Sequence, residues 1–112
     1  MLEYLLRQGI SPNKKSDYGE TPLAYALRNY QTSMAKTLLN RGASVTETDL
    51  SGNTALHLAA QFGYMDIVEL LVAKGAPLKV KNNTGWTPRK VARKSKHKSI
   101  KKYLKKAEKR KL

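Results

Sequence analysis

The stretch GNTALHLAAQFGYMDIVELLVAKGA, residues 52–76, decides how the rest of the chain is read. Within it Leu56, Ala59 and Ala60 share one helical stripe, Ile67, Val68, Leu71 and Val72 share a second, and Gly63 breaks the run between them. This pattern predicts two short antiparallel helices. Thr54 can cap the first through its hydroxyl, and Gly75 suits the left-handed position that ends the second.

The landmarks of this stretch recur every 33 residues in both directions. Gly19, Gly52 and Gly85 are each followed two residues later by a threonine, Thr21, Thr54 and Thr87. In the outer two copies Pro22 and Pro88 come next, at the first helical position, where the missing N–H costs nothing. The same interval joins Gly9, Gly42 and Gly75, and it joins Leu5, Leu38, Leu71 and Leu104. Register held at both glycine and apolar positions identifies a repeat protein, in which each unit buries its apolar face against its neighbours. Leu38, Leu71 and Leu104 are therefore expected in equivalent interior places. The segment 76–83 is too turn-rich for a helix and should project as a loop or hairpin.

Residues 52–63 with residues 67–76 resemble an ankyrin repeat, and the resemblance extends over nearly the whole chain. It divides residues 1–112 into a half repeat (1–13), two complete repeats (17–48 and 50–81) and a degenerate capping repeat (83–112) with a basic tail. The family resemblance implies an all-α solenoid of stacked helix-turn-helix units with loop or β-hairpin tips, acting as a protein-interaction module. It also implies a contact surface made by the tips and the exposed face of each first helix, expected to grip a protein or peptide in its concavity. Matched position by position, that surface comprises Tyr18, Glu20, Arg28 and Asn29 in one repeat, Leu50, Ser51, Asn53, Gln61 and Phe62 in the next, and Trp86 in the last. Tyr18, Leu50, Phe62 and Trp86 are large and apolar, recur along one edge, and are the candidate anchors.

Departures from the pattern carry information. Tyr30 stands where the middle repeat has Gly63, and Thr37 where it has Leu70, so the first complete repeat is expected to pack with local adjustment. In the last copy the changes share one direction: Arg89 replaces the Leu23 and Leu56 position, Arg93 that of Leu27 and Ala60, and Lys105 that of Leu39 and Val72. A further repeat could not stack on such a face, which reads as a polar cap. The amino end has no such replacements. Leu2, Tyr4, Leu5 and Leu6 are expected to form the second helix of an incomplete repeat, the remnant of a longer array whose C-terminal part this is, or a surface for self-association.

Composition excludes several classes. The chain has no cysteine, which rules out disulfides, thiolate metal sites and cysteine nucleophiles. The family resemblance implies structural hydrogen bonds around the helix start for His57, His97 is expected to be solvated, and no carboxylate stands at metal-ligand spacing from either. The glycines are dispersed by the repeat period and form no phosphate loop. No catalytic, cofactor or metal residues are assigned, no small-molecule substrate is expected, and no apolar run is long enough to span a membrane. An intracellular setting, cytoplasmic or nuclear, fits this composition.

Charge is concentrated at one end. Residues 1–88 hold nine Lys or Arg against seven Asp or Glu, and residues 89–112 hold thirteen against one. Ile100, Tyr103, Leu104 and Ala107 keep helical spacing while Lys101, Lys102, Lys105, Lys106, Lys109, Arg110 and Lys111 cover the remainder, which makes a basic amphipathic helix. Its alternative role is an electrostatic tether to nucleic acid, an acidic protein or an anionic membrane, or a nuclear-import signal. A cap requires only polarity, which mixed charges would supply without self-repulsion.

Overall fold

The computed structural model of the chain describes Asn13, Lys15, Ser16 and residues 20–110. Among the described residues six helices follow one another: α1 (Pro22–Arg28), α2 (Thr32–Asn40), α3 (Ala55–Phe62), α4 (Met65–Ala73), α5 (Pro88–Lys94) and α6 (Lys98–Arg110). There is no strand among the described residues. The half repeat of residues 1–13 and its apolar face lie, Asn13 apart, outside the described residues, as do Tyr18 and Lys111.

Each first helix begins where the threonine period places it. The hydroxyls of Thr21, Thr54 and Thr87 accept from the amides of Ala24 (3.1 Å), His57 (3.4 Å) and Lys90 (3.3 Å), each from an extended backbone. The inner second helices end alike, with the amide of Ala43 donating to the Leu38 carbonyl and that of Ala76 to the Leu71 carbonyl. The last one does not. Glu108 holds the register of Gly42 and Gly75, nothing stops the chain there, and α6 runs to 13 residues where α2 and α4 have nine.

Helices pair within a repeat (α1 on α2, α3 on α4, α5 on α6) and stack between repeats, α1, α3 and α5 forming one layer and α2, α4 and α6 the other. The core lies between the layers. Leu38, Leu71 and Leu104 occupy equivalent buried places at 0%, 0% and 1% exposure, as the period predicts. Burying each contributes about 1.5–3 kcal/mol, so the 33-residue interval carries the main driving force as well as the geometry.

Local adjustment around Tyr30 takes an unexpected form. Tyr30, Gly63 and Lys96 stand 33 residues apart and all adopt left-handed backbone, with φ of 59°, 81° and 64°. The turn between paired helices thus keeps one geometry whatever residue fills it. What sets the middle copy apart is space, since a Cβ at Gly63 would lie 2.8 Å from the ring of His97.

Candidate functional site: the fingers and first-helix face

The projecting segments between repeats are closed loops, built by one recurring device. In each, a side chain at the start of the turn accepts amides from further along: Ser16 Oγ from Glu20, Asp49 Oδ1 from Ser51 and Asn53 (both 2.9 Å), and Asn82 Oδ1 from Thr84 and Trp86 (both 3.0 Å). Short polar side chains suit this position because they satisfy turn amides locally. The main chain closes each loop as well, through donation from Ser16, Asp49 and Asn82 to the carbonyls of Glu20, Asn53 and Trp86. Of the loop or hairpin expected, the tips at residues 49–53 and 82–86 take the loop form.

Successive fingers also hold each other. The amide of Asn83 donates to the Ser51 carbonyl at 2.9 Å and its side-chain nitrogen to the Leu50 carbonyl at 3.1 Å. Asn82 Nδ2 donates to Asn53 Oδ1 at 2.8 Å. So close an approach needs glycine at residue 52, where a Cβ would meet Asn83 Oδ1 at 2.5 Å. On the preceding finger, Arg28 pairs with Glu20 at 2.7 Å and reaches across to Asp49, fixing α1 to the next loop.

His57 does more than open its helix. The amide of Thr54 donates to His57 Nδ1 at 3.0 Å, so the ring proton resides on Nε2, which donates to the Trp86 carbonyl at 2.7 Å. One buried side chain thereby ties the start of α3 to the loop before α5. Burial, the first cause, lowers the His57 pKa below 6.5, and the hydrogen bond to Trp86 opposes that shift. The neutral ring is the form this geometry uses.

At the other end of the first helices the structure places an aromatic group. Phe62 lies 5.9 Å from both Tyr30 and Tyr64, centroid to centroid, and Tyr30 lies 6.4 Å from Tyr64. Tyr64 Oη donates to the Leu27 carbonyl at 3.0 Å. One repeat later His97 repeats this tie, its Nε2 bonding the Gln61 carbonyl at 3.0 Å with the ring packed on Gly63. His97 is thus half-buried rather than wholly solvated, its ring resting beside the preceding turn.

The contact residues expected from sequence thus divide into groups. Glu20, Arg28, Asn53 and the backbone of Ser51 are engaged in holding the fingers, and Asn29 bonds its own helix at Tyr25. Leu50 projects from its finger at 79% exposure. Trp86 is half-buried, with the ammonium groups of Lys90 and Lys94 at 5.6 and 5.8 Å from its ring centroid. Leu50 and Trp86 belong to the finger end. Phe62 is the last residue of α3 and sits, with exposed Gln61, at the far end, so these three do not line one edge. Two exposed aromatics were missed, Tyr25 and Tyr30 at 51% and 73%. Tyr25 shares the register of Leu58 and Val91, both buried, so the repeat pattern gives no sign of its exposure.

The described residues contain no group of His, Cys, Asp or Glu able to hold a metal and no helix long and apolar enough to cross a membrane.

Known proteins share this architecture in sequence. A model for ankyrin repeats in many copies matches residues 38–92, and one for a single ankyrin repeat matches residues 18–50. An ankyrin repeat protein of Fowlpox virus (strain NVSL) is 35% identical over 91 residues, covering 79% of this chain and 27% of the relative. Inversin of Gallus gallus is 40% identical over 76 residues, covering 68% and 7%. Ankyrin repeat domain-containing protein 13C of Danio rerio is 46% identical over 50 residues, covering 45% and 10%. The chain therefore spans between 7% and 27% of the length of these relatives. With the repeat period, the stacked helix pairs and these matches in agreement, the chain belongs to the ankyrin repeat family.

Proposed function

We propose that this chain is a non-enzymatic protein-recognition module that binds a protein or peptide along its fingers and the adjoining side of its first helices. The observation that carries this is Leu50. It is a large apolar side chain held out on a turn whose backbone is bonded on one side by Asp49 and on the other by Asn83. Ordering cost is met before a partner arrives, which leaves more of the contact energy for affinity. Trp86 supplies a second anchor in the next repeat, and Phe62 with Tyr30 forms a separate patch at the far end. The test compares partner recovery by wild type with Leu50→Ser, Trp86→Ala and Phe62→Ala. Loss in the first two with retention in the third supports the finger end. Unchanged recovery by folded Leu50→Ser and Trp86→Ala overturns it.

A second reading, the electrostatic tether, is favoured by α6. Its Ile100, Leu104 and Ala107 are buried while Lys102, Lys106 and Lys109 point to solvent, and none of these three lysines has an ion-pair partner among the described residues. Diffuse phosphate attraction would show as affinity that falls steeply with salt and ignores sequence. Flat binding between low and moderate salt overturns this reading.

A further inference from the structure

We infer that the outer face of the last repeat holds a localised site for a small ligand bearing two or more clustered phosphate groups. A groove of about 390 Å³ opens between α5 and α6, lined by Thr87, Arg89, Lys90, Arg93, Lys101 and Lys105. Five of the six are cations and none is an acid. Arg89 is partly neutralised by Glu108 at 3.5 Å. Arg93, Lys101 and Lys105 have no ion-pair partner among the described residues, and the Lys90 ammonium lies over the Trp86 ring.

The placement of this charge is specific. Leu23, Leu27 and Leu39 are 2%, 0% and 1% exposed, and 66 residues later Arg89, Arg93 and Lys105 hold those same positions, facing one groove. Mixed or neutral polar residues would keep that face wet without the repulsion that several like charges in one groove impose. A ligand that removes the repulsion gains most here. A carboxylate brings one negative charge, whereas a phosphomonoester brings about 1.5 to 2 at neutral pH with three acceptor oxygens, and arginine takes such groups bidentately. The volume falls at the small end of the roughly 300–1,000 Å³ range of small-molecule sites, which suits a compact polyphosphate and is too little for a docked helix. The groove meets the finger surface only where Lys90 lies over Trp86, and its test changes neither residue, so either can fail without the other.

Calorimetric titration of the full chain with inorganic tripolyphosphate is the test. One ligand should bind per chain, more than about tenfold tighter than inorganic phosphate, because adjacent phosphates engage several charge-assisted donors together. The triple variant Arg89→Gln, Arg93→Gln, Lys105→Gln should lose affinity by more than about tenfold. The triple variant Lys102→Gln, Lys106→Gln, Lys109→Gln removes the same charge from α6 outside the groove and should change it less than about threefold. Should the first variant fail to fold, Arg93→Gln with Lys105→Gln, both exposed, answers the same question. No binding, or equal losses in the two triples, overturns the site; equal losses would instead indicate diffuse attraction. A vesicle arm distinguishes the ligand's source. Retention on phosphatidylcholine vesicles carrying a bisphosphorylated phosphatidylinositol, above phosphatidylserine vesicles of equal charge, identifies a lipid headgroup. Binding of tripolyphosphate without vesicle retention identifies a soluble ligand, and both results uphold the groove.

Discussion

The middle repeat and the last repeat trace nearly the same backbone and present opposite chemistry at matching positions. Leu56 and Ala60 of α3 are fully buried, and their counterparts Arg89 and Arg93 line an open groove. His57 joins its helix to the following loop, and its counterpart Lys90 lies over Trp86 instead. Gly75 ends α4, and its counterpart Glu108 lets α6 continue. The comparison teaches that helix starts and core leucines set the frame, while a handful of positions facing the next unit decide whether another unit can be received.

The largest expected effect breaks the comparison at its centre. Leu56→Arg carries the last repeat's chemistry into a fully buried position and should cost more than about 4 kcal/mol, abolishing cooperative urea unfolding. The reverse exchange, Arg89→Leu, should cost no more than about 1 kcal/mol in the same assay, since the site is open and only the partly exposed pairing with Glu108 is lost. Next comes the tie between repeats. His57→Ala leaves the Trp86 carbonyl and the Thr54 amide without their partner and opens a cavity, at about 2–4 kcal/mol. Lys90→Ala, in the same register, should cost under about 0.5 kcal/mol, and comparable losses in the two variants would dissolve the distinction.

Acidity should sharpen the contrast by a smaller amount. Burial lowers the folded His57 pKa below the 6.5 of the unfolded chain, so the unfolded state binds the proton first as pH falls. Stability from this group is fully present above pH 6.5 and declines below it. Urea midpoints at pH 7.5 and 5.5 should show the decline in wild type and a shallower one in His57→Gln; equal slopes would remove His57 as the cause. The smallest effect concerns the turn. Lys96→Gly relieves a left-handed lysine at the register of Gly63 and should raise stability by less than about 1 kcal/mol, because the freer unfolded chain offsets part of the relief. A loss on thermal melting would show that the Lys96 side chain supports the turn.

Most of the fold was legible because its signals are local and repeat: threonine at each helix start and leucine at residues 38, 71 and 104. The fingers were harder to read. Ser16, Asp49 and Asn82 are three residue types doing one job, so a search for identical residues at the period passes over them although their spacing is regular. The ties made by Tyr64, His97 and His57 were hidden for another reason: their acceptors are main-chain carbonyls, which leave no mark in the sequence. Of the candidate anchors, Leu50 stands out on its finger, whereas Phe62 was assigned to the same edge because alignment gives a residue's register and not its distance along the helix from the tip.

Those carbonyl acceptors have an evolutionary consequence. Tyr64 bonds Leu27, His97 bonds Gln61 and His57 bonds Trp86, in each case through an oxygen that every amino acid possesses. At those three accepting positions the bond itself makes no demand on the neighbour's side chain, although the His97 ring still needs Gly63 beside it. Duplication, deletion or exchange of a whole 33-residue block can then preserve these bonds, and divergence at Leu27, Gln61 or Trp86 need not await a matching change in the donor.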